Sequence, residues 1–434
     1  MRSRKYKMRI QNRLLKYITE LFRLIVGATF VFSGFVKSVD PLGFTYKIQD
    51  YLISFDLVSL FPLALPAAII MVVAELVVGV LLLLGVYRKF STIAVTIFMG
   101  IFLPLTLWIA IYNPVEDCGC FGDAWVISNW DTFYKNIVLS IGAVMLLINN
   151  KMITPLFSSS TSLVATIFSI IFGLSFAIYN TVKLPVIDFR PYHIGANIHE
   201  QMQVDPEKGD ITQTVFIYSK DGNEKEFTED NYPWDDSTWV YVDMQTKLIR
   251  EGEKPKIEDF HINLYGYDEE LDELYIEDDI TEDVLNNSGY TFLMTSYFLD
   301  EMNERHLNRF IDAAKNAEEN GVKFYLLTSS LVEDIMSWRS EHINTNFVFA
   351  EADERVLKTM NRSNPGLILL KNGEVVNKWD DGDVPDFSIH SIDRWDERSN
   401  VQRNFWIKLM VILSLFIIPL AIVKVYDVKQ NREK

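Results

Sequence analysis

Six stretches of the chain stay apolar for about the length that crosses a hydrocarbon core. They are Leu21–Val36, Leu63–Tyr87, Ile93–Tyr112, Ile137–Ile148 with its flanks, Leu163–Val182 and Phe405–Val423. After Val182 the pattern changes to short alternating runs. Thr212–Tyr218 and Ser237–Val242 read as strands, and Lys220-Asp-Gly-Asn223 supplies the turn of a hairpin. From about Ile257 strands and helices alternate: a buried strand over Tyr290–Thr295, an amphipathic helix over Asn303–Asn320 closed by Gly321, a strand over Val322–Leu327 and a helix over Leu331–Arg339. Pro365–Leu370 then runs through Lys371-Asn-Gly373 into Glu374–Trp379 as a strand–turn–strand. Such alternation predicts a central sheet covered by helices. The chain thus divides into an N-terminus over 1–18, a four-helix membrane domain over 19–150, a fifth span over 161–182, a β-rich subdomain over 183–256, an α/β domain over 257–385 and a last span over 404–424.

Charge sharpens this division. Over the whole chain the net charge is −17, but residues 183–403 hold 47 of the 58 acidic and 22 of the 41 basic residues, a net −25, leaving +8 for the rest. An acidic polar part of that size repels phosphates, which excludes nucleic acid as a partner. The basic residues fall before the first span (Arg2 to Lys16), between the second and third (Arg88, Lys89), after the fourth (Lys151) and after the sixth (Lys424 to Lys434). With six spans all four groups share one side, and the positive-inside rule makes it cytoplasmic. Dropping the fourth span would misplace the C-terminal charges, so Lys135 at its entrance reads as a snorkelling residue. No small-residue cleavage site follows Val36, so the first span is not read as a signal peptide. The expected setting is a bacterial inner membrane, with both termini cytoplasmic and Lys37–Leu60, Asn113–Asp131 and the acidic region on the periplasmic side. The bilayer is the first partner.

The chain has two cysteines, and both lie in one outward loop, Asp117-Cys118-Gly-Cys120-Phe-Gly-Asp123. A bridge between residues two apart is strained, hence oxidising and readily exchanged, and Gly119 gives the backbone freedom to close it. Three readings stay open on chemistry alone: a redox-active disulfide, a structural disulfide, and a two-thiolate copper(I) site. A zinc site would need ligands that the loop does not offer. No metal is assigned, because the six histidines lack ligand spacing.

Glu75 sits in mid-span, where an ionisable side chain is costly and marks function by default, as a proton or quinone group; its plainer role is a protonated carboxyl hydrogen-bonded to a neighbouring helix. Gly79, one turn on, lets that neighbour approach closely. Lys37 ends on the cysteine side, where its ammonium either activates Cys118 or Cys120 or anchors the helix end at the interface.

Together these residues carry a family resemblance. Cys-Gly-Cys-Phe-Gly lies between the third and fourth spans, Ser33-Gly34-Phe-Val-Lys37-Ser-Val-Asp40-Pro41 ends the first, and Glu75 lies within the next. This set is similar to the DoxX/MauE superfamily of four-helix membrane proteins, and the cysteine run in particular resembles MauE, associated with methylamine utilisation. The resemblance covers about residues 15–150. It implies a membrane redox role, with Cys118 and Cys120 exchanging as a disulfide and passing electrons to a quinone or maturing a periplasmic client. The bundle is also similar to vitamin K epoxide reductase-like enzymes, without their intramembrane Cys-x-x-Cys.

Residues 257–382 resemble a thioredoxin-like fold, with Asn364-Pro365-Gly366 in the position of that family's cis-proline. Where the family carries Cys-x-x-Cys, this chain has Ser296-Tyr297-Phe-Leu-Asp300, so the resemblance implies peptide binding near Pro365, Ser296 and Tyr297 rather than dithiol chemistry. The acidic run Asp268–Asp279 reads as a solvated loop in preference to a weak calcium site, since it lacks EF-hand spacing. Two functions follow. One is a thiol-redox accessory protein, an oxidoreductase linked to quinone and serving a periplasmic client; the other is a non-enzymatic scaffold of a membrane complex with a structural disulfide. The first is preferred.

Overall fold

The computed structural model describes residues 2–432 apart from 116, 205–207, 210, 251, 253, 269, 271–272, 344 and 388–403, with side chains from Asn12 onward. Glu116 of the cysteine loop and His390 lie outside the described residues. The N-terminal region folds into helices α1 (Arg2–Val39), α2 (Pro41–Ser54), α3 (Ala64–Leu84), α4 (Arg88–Tyr112), α5 (Asn129–Ile148) and α6 (Ser159–Val182). With the C-terminal helix Phe405–Arg432, the described residues include 6 helices long and apolar enough to cross a membrane.

Within the segment Lys37–Leu60 the chain forms the helix α2, which the hydrophobic pattern does not announce. Asp40 caps it, accepting from the Gly43 N–H at 3.0 Å, and Pro41 starts its first turn, where a missing N–H costs nothing. Phe44 and Thr45 bury one side of α2 against the bundle. Lys37 is not at the interface either: it is buried in the last turn of α1 and ion-paired with Glu75 of α3.

Glycines let α1 and α3 come together. A Cβ on Gly34 would collide with the backbone of Leu76, and one on Gly79 would stand 2.7 Å from Val31 N. Around this seam Val26, Phe30, Val78, Leu82, Val95, Met99 and Leu139 form a buried apolar layer shared by α1, α3, α4 and α5.

The C-terminal part contains two sheets. Strands β1 (Ile211–Lys220), β2 (Asn223–Thr228) and β3 (Val240–Arg250) form an antiparallel sheet in the order β2-β1-β3, as the alternating runs predict. The larger sheet has 7 strands in the order β10-β9-β6-β7-β8-β4-β5. Its members are β4 (Asn263–Asp268), β5 (Glu273–Asp279), β6 (Tyr290–Ser296), β7 (Lys323–Thr328), β8 (Val348–Glu351), β9 (Gly366–Lys371) and β10 (Glu374–Asp380). β6, β7 and β8 run parallel, with antiparallel pairs on both flanks. Parallel neighbours need crossovers, and the chain supplies α9 (Leu307–Glu319) and α10 (Val332–Glu341). These cover one face through Phe310, Ala313, Ile335 and Trp338. The other face is covered by α8 (Thr281–Leu285), α11 (Glu354–Met360) and the segment around Tyr192 and Ile198, which includes α7 (Ile198–Gln201).

Two expectations change here. Residues 187–198 pack on the seven-stranded sheet, where Gly195 and Ala196 exchange backbone hydrogen bonds with Val375, instead of joining the three-stranded one; the apolar side chains of Tyr192 and Ile198 draw them into that core. The acidic run 268–279 is no loop where it is described, since Glu273–Asp279 is the edge strand β5, with Leu274 buried and the carboxylates facing solvent. A charged edge resists pairing with other chains.

The segment after α6 ties the sheet to the membrane part. Asn180 accepts from Val186 N at 2.9 Å and donates to Ser38 O at 3.2 Å, folding the chain back over the end of α1. There Arg190 forms a fork on Asp188, at 2.7 and 2.8 Å, and Lys378 reaches the same carboxylate at 2.8 Å. Burial pushes Asp188 up, but Arg190 and Lys378 outweigh it and hold the carboxyl well below its usual range. Burial and the neighbouring Arg190 pull the Lys378 ammonium down to about 8.

The α1–α3 seam makes a clear prediction. Gly34→Ala and Gly79→Ala each overpack it and cost about 1–3 kcal/mol, read as a lower thermal midpoint of the purified protein in detergent. Gly100→Ala on α4, whose added Cβ meets nothing within 4 Å, leaves the midpoint unchanged or slightly raised.

Candidate functional site

The loop from α4 to α5 folds so that its two sulfurs meet. Gly119 adopts φ 63° and Gly122 φ 49°, conformations that a Cβ disfavours, and Gly122 N–H closes a turn on Gly119 O at 3.2 Å. The Gly119 N–H also donates to Asp117 Oδ1 at 2.6 Å. Cys118 and Cys120 are free thiols whose Sγ atoms lie 2.6 Å apart. Cys118 is buried and Cys120 half-buried.

Four helices hold the loop. From α1, the Ser33 hydroxyl donates to Cys120 O at 2.6 Å. From α2, the Tyr51 hydroxyl donates to Cys118 O at 2.8 Å, and Lys47 pairs with Asp117 at 2.8 Å. From α5, Thr132 Oγ1 stands 3.7 Å from Cys118 Sγ, and the Lys135 ammonium lies 4.0 Å over the Phe121 ring. From α4, Ile109 packs with Val115 and Cys118 of the loop, and Thr106 accepts from Asn136 of α5 at 3.2 Å, tying the two flanking helices together.

Behind the sulfurs a cavity of about 100 Å³ opens between the helices. Both cysteines line it, and so do Lys37, Glu75, Tyr51 and Lys135, against Phe30, Phe44, Met99 and Phe102. The Lys37 and Glu75 side chains are each 4 % exposed and joined by a hydrogen-bonded ion pair. Lys37 also sits 4.9 Å above the Phe44 ring. An isolated charge of either kind is expensive here, and removing one partner would cost about 3–5 kcal/mol.

The two thiols are not equivalent. The Cys120 thiol donates to Cys118 and, with Thr132 and the Lys135 ammonium nearby, draws the Cys118 pKa down to about 6 in spite of burial. Cys120 carries the retained proton, so its own pKa rises, further raised by burial and by the negative charge on Cys118. The contact and the surrounding groups thus favour Cys118 as the sulfur that loses its proton first and Cys120 as the one that keeps it. Burial and both sulfurs push the Tyr51 hydroxyl up, which keeps it a donor. Asp117 outweighs the burial of Lys47 and raises its pKa, which keeps the ammonium charged.

The structure brings Cys118, Cys120, Lys37 and Glu75 to one cavity. Ser296, Tyr297 and Pro365 lie elsewhere, on the sheet. Ser296 is fully buried, 2.8 Å from Asn364 Oδ1, and the Asn364–Pro365 bond is cis. Sequence reasoning assigned no role to Ser33, although it lies in the motif that ends the first span, and missed Lys47, Tyr51, Thr132 and Asn136. The polar trio Thr132, Lys135 and Asn136 at i, i+3, i+4 marks one face of α5, and Lys47 and Tyr51 stand four apart on α2.

Residues 15–149 match the family described as Methylamine utilisation protein MauE, and residues 212–251 match a domain of unknown function, DUF8463. No curated protein and no solved structure matches the chain. The first match covers the membrane part around the cysteine loop, about a third of the chain, so that part is similar to MauE; with the six apolar helices it supports a multi-pass membrane protein joined to a sheet region. The second coincides with the three-stranded sheet.

The unequal thiols predict an alkylation profile. Thiolate forms as pH rises through the folded pKa, so Cys118 reacts with iodoacetamide with a midpoint near pH 6, about 2.5 units below an unperturbed thiol, while Cys120 reacts only at much higher pH. Cys120→Ala raises the Cys118 midpoint by more than Lys135→Met does, because the thiol contact is the larger cause. Mass spectrometry of the two loop sites checks this, and a common midpoint near 8.5 would contradict it.

Proposed function

We propose that the chain is a membrane thiol–disulfide exchange protein that oxidises a client and passes the electrons to a quinone. The observation that carries this is the contact of a thiolate-forming Cys118 with Cys120 on the wall of an intramembrane cavity that holds a buried ion pair. The match to MauE over residues 15–149 supports an accessory role of methylamine-utilisation type. With basic residues clustered on the opposite side, the positive-inside rule puts the cysteine end and the sheets in the periplasm and both termini in the cytoplasm of a bacterial inner membrane.

The cycle balances as follows. In the oxidised protein a client thiolate attacks Cys120, the less buried sulfur, forming a mixed disulfide and expelling Cys118 as the thiolate; the thiol of lower pKa leaves faster. The client's second thiolate then attacks the mixed disulfide at the client sulfur, leaving the client oxidised and Cys120 reduced. The pair returns to a disulfide by giving two electrons and two protons to a quinone, which leaves as the quinol. The apolar rings and methionines lining the cavity suit a quinone ring, and Glu75 with Lys37 is placed to relay the protons. The sheet region, which we read as thioredoxin-like over 257–385 and which has no cysteine, assists without dithiol chemistry.

Reduced protein in detergent, mixed with a short-chain ubiquinone, should lose two thiols per chain while one quinol appears. Cys118→Ser and Cys120→Ser abolish both signals, and Glu75→Gln slows quinol formation at least tenfold with both thiols still titratable. Thiols that no quinone or small disulfide oxidises would contradict the cycle and favour a scaffold role.

A further inference from the structure

Besides the segment after α6, the sheet region meets the bundle through the loop before Pro365, and that loop grips α2. Arg362, three residues before Pro365, has a side chain only 6 % exposed. Its Nε lies 3.0 and 3.1 Å from the two oxygens of Asp40, and its Nη2 lies 2.7 Å from Asp40 Oδ2, a two-pronged fork on one carboxylate. Nη1 donates to Lys358 O, and Nη2 stands 3.8 Å from Asp123 Oδ2. Beside this fork the Tyr46 ring of α2 lies under both cations, 5.3 Å from the Arg362 guanidinium and 4.8 Å from the Lys358 ammonium. Lys358 also lies 5.2 Å over Tyr297, which follows β6.

Both carboxylates lead to the cysteines. Asp40 caps α2, and α2 carries Lys47 and Tyr51, which hold Asp117 and the Cys118 carbonyl. Asp123 closes the cysteine run three residues beyond Cys120. A guanidinium between them therefore fixes two ends of one loop: the helix that supports its start and the turn that finishes it. Without that cation the two carboxylates would face each other unneutralised, and the Asp40 cap would shift toward water.

We propose that Arg362 is a positioning residue for the cysteine pair, acting through Asp40 on α2 and through Asp123, so that the seating of the sheet region on the bundle sets the reactivity of Cys118. The face around Tyr297 and the Pro365 loop then serves α2 of the same chain. This rests on the reading of the pair as a redox couple. It goes further in making the sheet region a regulator of that couple: a client or complex that lifts the region off α2 changes the reactivity of a thiol on the membrane part.

The pH profile of Cys118 alkylation, measured on the full chain in detergent, tests this. Arg362→Gln leaves Asp40 and Asp123 uncompensated, and that added negative potential disfavours the thiolate; the midpoint should rise by about one unit, a roughly tenfold loss of thiolate at pH 5. Arg362→Lys keeps the charge without the fork and should move the midpoint less. Arg362→Gln with Asp40→Asn restores a neutral cap and should return the midpoint part of the way; it also carries the test if the single variant fails to purify as a monodisperse protein. A wild-type midpoint retained in both Arg362→Gln and Arg362→Lys would overturn the positioning role while leaving the redox couple intact. A wild-type midpoint near 8.5 would overturn the redox reading instead.

Discussion

A charge taken out of water among membrane helices must find its opposite, and at the cysteine end of this bundle Lys37 and Glu75 find each other. Either alone would carry the cost of an uncompensated buried charge. Together they fix the last turn of α1 against the middle of α3, where Gly34 and Gly79 already let the backbones close. Ser33 stands one turn before Lys37 on the same helix, so the same pairing sets the hydroxyl that holds the Cys120 carbonyl. The cavity behind the sulfurs exists because that pair stands in its wall, with aromatic and methionine side chains around it.

The same constraint operates a second time where the sheet region sits on the bundle. Asp40 with Arg362, and Asp188 with Arg190 and Lys378, form two buried clusters in which every described carboxylate is held by cations. Buried ion pairs add little net stability compared with apolar packing, but a guanidinium fork on a carboxylate is directional. That suits a junction which must hold one orientation more than it must be strong. The acidic surface elsewhere on the sheets, including the charged edge β5, keeps the region soluble and its edges unpaired.

Much of this was legible in the chain. Spanning helices announce themselves by apolar length, and the strands β6, β7, β9 and β10 by compact apolar runs ended by turns, because both are local signals; the four-residue β8 is too short to carry such a signal. The helix α2 was not, since Pro41–Ser54 mixes Lys47, Gln49 and Asp50 with its apolar residues and buries only Pro41, Phe44 and Thr45. β5 was hidden among its carboxylates, and only Leu274 faces the core. Cys118, Cys120, Glu75 and Lys37 could be named from residue type and depth. Their partners could not: Lys37 meets Glu75 across 38 positions, and Arg362 meets Asp40 across 322, distances over which no periodicity speaks.

The central claim is that Cys118 and Cys120 form a working couple with one low-pKa thiol, and its reduction potential as a function of pH tests that most directly. Thiol trapping of the full chain in membranes, across a series of dithiol–disulfide buffers, gives the potential at each pH. Reducing the bond takes up two protons below the Cys118 pKa and one above it. The potential should therefore fall by about 59 mV per pH unit at low pH and by about 30 mV per unit above pH 6. A pair locked in one state throughout the series, or a slope that passes unbroken through pH 6, would contradict the account.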